Sequence, residues 1–145
     1  MPTINPYLHF SGNTEEVFNF YKSVFGGEFI MLKRFSELPS GYKFPAEYKE
    51  KILHISLSIG KDDILMASDA IEPIGHKLIR GDNFSISLSA DSKEEADKLF
   101  AALSEGGKIT MPMEDAFWGN YFGMLTDKFG IQWMVSYNQM EHKKI

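Results

Sequence analysis

The chain has 145 residues, 43% of them hydrophobic, with 15 basic against 20 acidic side chains, a net charge of −5, and no cysteine. That size and composition suit one globular domain with a real core. The charge balance offers no basic stripe for nucleic acid or an anionic membrane surface, and the missing cysteines exclude thiol catalysis, disulfides and cysteine-held metals. The opening MPTINPYLHF lacks the basic-then-apolar order of a secretory signal. No apolar run approaches the roughly 20 residues of a membrane span. A soluble, cytoplasmic protein is expected.

Residues 4–11 read as a short strand. Asn13 or Thr14 can cap the helix that follows, and Glu15 and Glu16 occupy its first turn, where the positive dipole end favours them. Val17, Phe20, Tyr21 and Val24 recur at helical spacing, and Gly26-Gly27 ends the helix. Residues 28–37 read as a strand and 38–50 as a loop with two prolines and the aromatics Tyr42, Phe44 and Tyr48. Residues 52–59 alternate cleanly: Leu53, Ile55, Leu57 and Ile59 on one face, His54, Ser56 and Ser58 on the other. A tight turn at 60–63 returns the chain as a strand over 63–68.

Residues 69–82, with Pro73 and Gly75, have no period and read as a linker between module one (1–68) and module two (83–137). In the second module Phe84, Ile86 and Leu88 alternate with Ser85, Ser87 and Ser89. A helix over 93–105 follows, with Glu94 and Glu95 in its first turn. A strand over 108–113, a loop over 111–120 (MPMEDAFWGN), a strand over 121–126, a turn over 127–130 and a strand over 131–137 complete it. Residues 138–145 are a polar tail. Residues 90–108 (ADSKEEADKLFAALSEGGK) echo residues 11–28 (SGNTEEVFNFYKSVFGGE): Glu15 and Glu16 fall on Glu94 and Glu95, Tyr21 on Phe100, and Gly27 on Gly106. This repeat predicts an α+β fold of two tandem β-α-β-β-β modules. Side by side they form one curled mixed sheet, helices outside, around a concave cup suited to a small molecule.

This order, with PYLHFSGN…FYKSVFGGE and FWGNYFGMLTDKFGIQW, closely resembles the glyoxalase/bleomycin-resistance/dioxygenase (vicinal oxygen chelate) superfamily, and within it the PhnB-like branch. The resemblance covers nearly the whole chain. The run from Phe117 to Gly130 with Trp118, Gly119, Gly123 and Asp127 carries the branch assignment. Metal enzymes of the superfamily take one His, Glu or Gln ligand from the first and last strands of each module. Carried over from Phe20-Tyr21 and the turn at 127–130, those positions are Pro6, Met66, Ser85 and Met134. Proline has no donor, thioethers are soft and a lone hydroxyl binds weakly, so no metal and no cofactor are expected. Alternation places Ser85, Ser87 and Ser89 toward the cup. In the first strand it places Leu8 and Phe10 toward the cup and Tyr7 and His9 toward the helix. Some members of the branch are named 3-demethylubiquinone 3-methyltransferase, but the chain lacks the strand–helix alternation of a nucleotide-type sheet.

Among the histidines, His76 falls in the linker and His142 in the tail. His9 and His54 lie on strands, where a hydrogen-bonded structural imidazole competes with a role as acid, base or ligand. The carboxylate pairs at Glu15-Glu16 and Glu94-Glu95 follow from the helix dipole, and Asp62-Asp63 from turn chemistry; Glu114-Asp115 sits on a loop that can rim the cup. The serines have no triad partners at readable spacing. Phe117, Trp118, Tyr121 and Phe122 either pack internally or wall a flat ligand. The leading expectation is metal-free binding of a small apolar or aromatic molecule by Met66, Ser85, Ser87, Trp118, Tyr121 and Met134, in a homodimer. The alternatives are a metal-dependent lyase, isomerase or dioxygenase-type enzyme using His9 or His54, and a structural module whose cup is filled by its own side chains.

Overall fold

The computed structural model describes residues 2–72 and 77–139; Pro73, Gly75, His76 and His142 lie outside them. The chain divides into two compact units, residues 1–80 and 81–145. The first contains β1 (Tyr7–Phe10), α1 (Thr14–Phe25), β2 (Phe29–Arg34), β3 (Ile52–Ile59) and β4 (Asp63–Asp69). The second contains β5 (Ile86–Ser89), α2 (Lys93–Ser104), β6 (Lys108–Asp115), β7 (Asn120–Thr126) and β8 (Gln132–Asn138). Each unit is an open four-stranded mixed sheet, in the orders β1-β4-β3-β2 and β5-β8-β7-β6. The parallel pairs are β1 with β4 and β5 with β8. The expected α+β fold of two tandem modules is what forms. No described helix is long and apolar enough to cross a membrane.

One face of each sheet carries the helix. In the first unit Leu8, Phe10, Ile55, Leu57, Leu65 and Ala67 are buried with Val17, Phe18 and Tyr21 of α1. In the second, Leu125, Trp133 and Val135 are buried with Ala96, Phe100 and Leu103 of α2. The expected stripe of α1 is therefore rotated. Thr14, Val17, Phe18 and Tyr21 face the core, whereas Phe20 and Val24 are half-exposed. The polar Thr14 begins the buried face, so a count of apolar residues alone starts one turn too late.

The first-strand register is also the reverse of expectation. Leu8 and Phe10 enter the core, and Tyr7 and His9 lie on the helix-free face. Further bounds move: β1 starts at Tyr7, β4 runs through Asp69, and β5 starts at Ile86, leaving Phe84 exposed. β6 continues through Pro112 to Asp115, where a loop was expected. It is an edge strand whose pairing shifts between Ile109 and Met111 and again between Met111 and Glu114. An edge and a bulge are where a strand accommodates proline.

Two buried carboxylates fix the chain's turns. Asp69, only 4% exposed, accepts at Oδ1 from Gly12 N (3.0 Å), Thr14 N (3.1 Å) and Thr14 Oγ1 (2.7 Å), and at Oδ2 from Ile52 N (2.8 Å). It thus caps α1 from across the sheet, and the side chain of Asn13 makes no cap bond. Asp127 accepts from Phe129 N (2.9 Å), Ile131 N (3.0 Å) and the Trp133 indole (2.9 Å). The exits from the helices are equally constrained. A Cβ at Gly27 would lie 2.2 Å from Ser58 O, and one at Gly107 2.3 Å from Thr126 O. The partner of Gly27 in the repeat is therefore Gly107, not Gly106.

Replacing Asp69 by alanine strands buried donors, each costing about 1–3 kcal/mol. Asp69→Ala is therefore expected to lower unfolding free energy in urea by about 3 kcal/mol or more. Asp69→Asn, which turns an acceptor into a donor facing other donors, is expected to lose much of the same stability. A loss below about 0.5 kcal/mol, the size of an ordinary surface change, would contradict this role.

Candidate functional site

The helix-free face of the first sheet carries a connected polar row. Strand register places Tyr7 beside Met66, Met66 beside Ser56, and His9 beside Ser68. The Tyr7 hydroxyl is 3.2 Å from His54 Nδ1, and His54 Nε2 is 2.8 Å from Ser56 Oγ. Both neighbours of His54 are hydroxyls, which donate or accept, so either tautomer is satisfied. His9 Nδ1 lies 3.5 Å from Ser68 Oγ. The Tyr7 ring is 5.2 Å from His9 and 5.5 Å from His54, centroid to centroid. Ser56 is itself buried, so the row is a packed lock on the imidazole of His54 and not an accessible nucleophile.

Next to this row is a pocket of about 400 Å3. Phe35, Leu53, Ala70 and Leu78 give it apolar walls, and His9, Ser68 and Lys77 give it polar atoms. Asp69 also borders it, with its oxygens taken by the bonds described above. A second hollow of about 390 Å3 lies around Gly12, Glu15, Arg34 and Lys51. Its charges are matched internally: Arg34 Nη2 is 2.7 Å from Glu15 Oε2, and Lys51 Nζ donates to Gly12 O at 2.9 Å. The Arg34 hydrogen bond holds the Glu15 carboxyl below its usual range, against a smaller opposing effect of burial. This second hollow ties the 35–51 segment to the start of α1.

In the second unit, Ser87 pairs with Met134, and Met134 with Met124, on the helix-free face. Ser85 precedes β5 and stands outside the ladder. Trp118 is on the exposed β6–β7 turn, edge-on to Phe117 at 4.9 Å. Tyr121 lies on the opposite face, toward α2. Its hydroxyl donates to Asp97 Oδ1 at 2.5 Å, and Lys93 Nζ sits 4.6 Å from its ring centroid. The hydrogen bond to Asp97, aided by burial, pushes the Tyr121 phenol up to about 12. Of the expected contacts in this unit, the structure brings Ser87 and Met134 together but not Trp118 or Tyr121. Met66 belongs to the first unit.

The metal positions can be tested directly. Seven residues separate Tyr7 from Thr14, but six separate Ser87 from Lys93. Pro6 and Ser85 each stand eight positions before their helix, whereas the side chain opposite Met66 is Tyr7. The corresponding pair in the second sheet is Ser87 and Met134. A phenol, two thioethers and a hydroxyl do not fit a hard divalent cation any better than Pro6, Met66, Ser85 and Met134 do. Among the described residues, no three His, Asp or Glu side chains converge as ligands.

Sequence reasoning missed the pocket's Phe35, Leu53, Ser68, Ala70, Lys77 and Leu78. Ala70, Lys77 and Leu78 lie in the aperiodic 69–82 segment, and Leu53 adjoins the pairing irregularity between Lys33 and Arg34. No local pattern joins them.

Comparison with known proteins places these features in a lineage. The family model described as Glyoxalase/Bleomycin resistance protein/Dioxygenase superfamily matches residues 3–135. Protein YjdN of Escherichia coli (strain K12) is 34% identical over 144 residues, covering 92% of this chain and 93% of YjdN. The crystal structure of protein PA1353 from Pseudomonas aeruginosa shares 43% identity at a TM-score of 0.81, covering 96% of this chain and 99% of that one. The PhnB protein from Bacillus cereus shares 26% identity at a TM-score of 0.73, with 94% and 99% covered.

The Asp97–Tyr121 contact has a pH signature. Because the folded phenol titrates near 12, above the usual value of about 10, its stabilising contribution is complete below that value. It is lost as pH rises from about 10 toward 12. In 13C-tyrosine NMR titrations, Asp97→Asn is expected to bring the Tyr121 midpoint back toward 10. An unchanged midpoint would contradict the assignment.

Proposed function

The chain belongs to the glyoxalase/bleomycin resistance protein/dioxygenase superfamily, and we propose that it binds a small apolar or aromatic molecule without a resident metal ion. The observation that carries this reading is the apolar-walled pocket of about 400 Å3 beside the helix-free face of the first sheet. That volume is in the range of small-molecule sites. The absence of any converging metal-ligand set among the described residues supports a metal-free role over a metal-dependent lyase, isomerase or dioxygenase. The locked Tyr7–His54–Ser56 row supports a binding role in the same way, since its polar atoms already serve one another. Met66 on the first sheet, and Ser87 and Met134 on the second, are proposed as soft, adaptable contact surfaces of their own sheets.

The same proposal includes a cytoplasmic homodimer. The edge strands β2 and β6 leave Ile30, Met31, Ile109 and Met111 exposed, and exposed apolar edges favour pairing. Sedimentation at micromolar concentration is expected to give twice the chain mass; a single-chain mass would contradict the dimer.

A thermal-shift screen of flat aromatic compounds is expected to yield ligands that raise the melting midpoint, because a ligand of the native state stabilises it. Leu53→Asp, which places a charge in the apolar wall, is expected to remove that shift. Metal analysis of untagged protein is expected to find far less than one equivalent of zinc, nickel, manganese or iron. A stoichiometric metal would restore the enzyme reading, and a silent screen would favour a structural module.

A further inference from the structure

We propose that the pocket of the first unit selects ligands bearing a single carboxylate, seated by Lys77; this rests on the small-molecule reading above and adds the ligand's charge to it. Four apolar side chains, Phe35, Leu53, Ala70 and Leu78, wall the pocket, and Lys77 is the only lysine or arginine that borders it among the described residues. Four of the other described lysines and arginines are neutralised by carboxylates. Arg34 is paired with Glu15, Lys33 with Glu37, Lys22 with Glu28, and Lys93 with Asp115. Lys77 has no such carboxylate among the described residues.

The acid nearest the pocket does not take that place. Asp69 also borders the pocket, but its two oxygens accept from Gly12 N, Thr14 N, Thr14 Oγ1 and Ile52 N. Those four donors offset its charge where it stands. The remaining polar atoms suit an acceptor. Ser68 Oγ is held by His9 only at 3.5 Å, at the limit of a hydrogen bond, so the hydroxyl can turn to a ligand oxygen. One ammonium and one hydroxyl match one carboxylate. A doubly charged phosphate ester would bring a second negative charge with no second lysine or arginine on the described lining, on a chain that already carries −5. The apolar walls then take the hydrophobic body of the acid, and the exposed Lys77 ammonium meets its carboxylate at the pocket's solvent side.

The test is calorimetric titration of the full chain at neutral pH with two probes of one shape, 2-naphthoate and the neutral 2-naphthalenemethanol. A contact to the exposed Lys77 ammonium predicts that the acid binds up to about fivefold more tightly than the alcohol. Lys77→Met is expected to reduce acid binding by up to about fivefold and bring the two probes within roughly 1.5-fold, leaving the alcohol unchanged. Lys77→Arg keeps the preference, and Lys61→Met, in the exposed β3–β4 turn, leaves both affinities as they were. Equal binding of the two probes to the wild-type protein, or an acid preference that survives Lys77→Met, would overturn the carboxylate assignment while leaving the small-molecule reading in place. Failure of both probes to bind a protein that retains its native circular dichroism would count against the small-molecule reading itself, and the carboxylate assignment would fall with it.

Discussion

The first unit depends on one buried carboxylate. Asp69 ends β4, and in that position it joins the turn after β1, the first residue of α1 and the first residue of β3. Burying an ionised group is expensive unless its lone pairs are filled. Here four donors fill them, and one of those is the Thr14 N–H at the start of α1, which the helix cannot satisfy itself. The same carboxylate borders both hollows of the unit. It fixes the α1 side of the sheet and, through the end of β4, the edge of the apolar pocket. Asp127 plays a comparable part in the second unit by holding its turn and the indole of Trp133.

With that frame set, the two faces of the first sheet divide their work. Leu8, Phe10, Ile55 and Leu57 are spent on the helix side. The other side carries Tyr7, His9, His54, Ser56, Met66 and Ser68, a mixed surface of aromatic, imidazole, hydroxyl and thioether groups. The imidazole of His54 is engaged on both sides by hydroxyls, and among the described residues no three His, Asp or Glu side chains converge as ligands. The second sheet shows no histidine or carboxylate at its corresponding pair, only Ser87 and Met134. The superfamily's scaffold is retained, and the proposed binding of an apolar molecule rests on the side chains it carries.

Much of this fold was legible in the sequence. Both helices, most strands and the duplication followed from periodicity and from the matched acidic helix starts. What escaped has physical causes. One extra residue between β1 and α1 shifts the first strand's register against that of β5, so Leu8 and Phe10 were assigned to the wrong face. Thr14 is polar yet buried, because its hydroxyl bonds Asp69, and an apolar count passes over it. Pro112 marked β6 as a loop, although an edge strand with shifted pairing tolerates it. Ser87 was assigned to the cup by alternation, and Met66 and Met134 by carrying over the superfamily's ligand positions. Tyr121 was counted with them but faces α2, where its tie to Asp97 joins residues 24 apart. The pocket was invisible for the same reason: Phe35, Leu53 and Leu78 meet only through tertiary structure.

The central claim is that this superfamily member uses the apolar hollow beside His9 and Ser68 to hold an organic molecule with no bound metal ion. A crystal structure of the protein soaked with 2-naphthoate, with data collected across the absorption edges of zinc, nickel, manganese and iron, tests it most directly. The account predicts ring density against Phe35, Leu53 and Leu78 with no anomalous peak on either helix-free face. Density for the acid elsewhere with this hollow left to solvent, or a metal peak coordinated by His9 or His54, would contradict it.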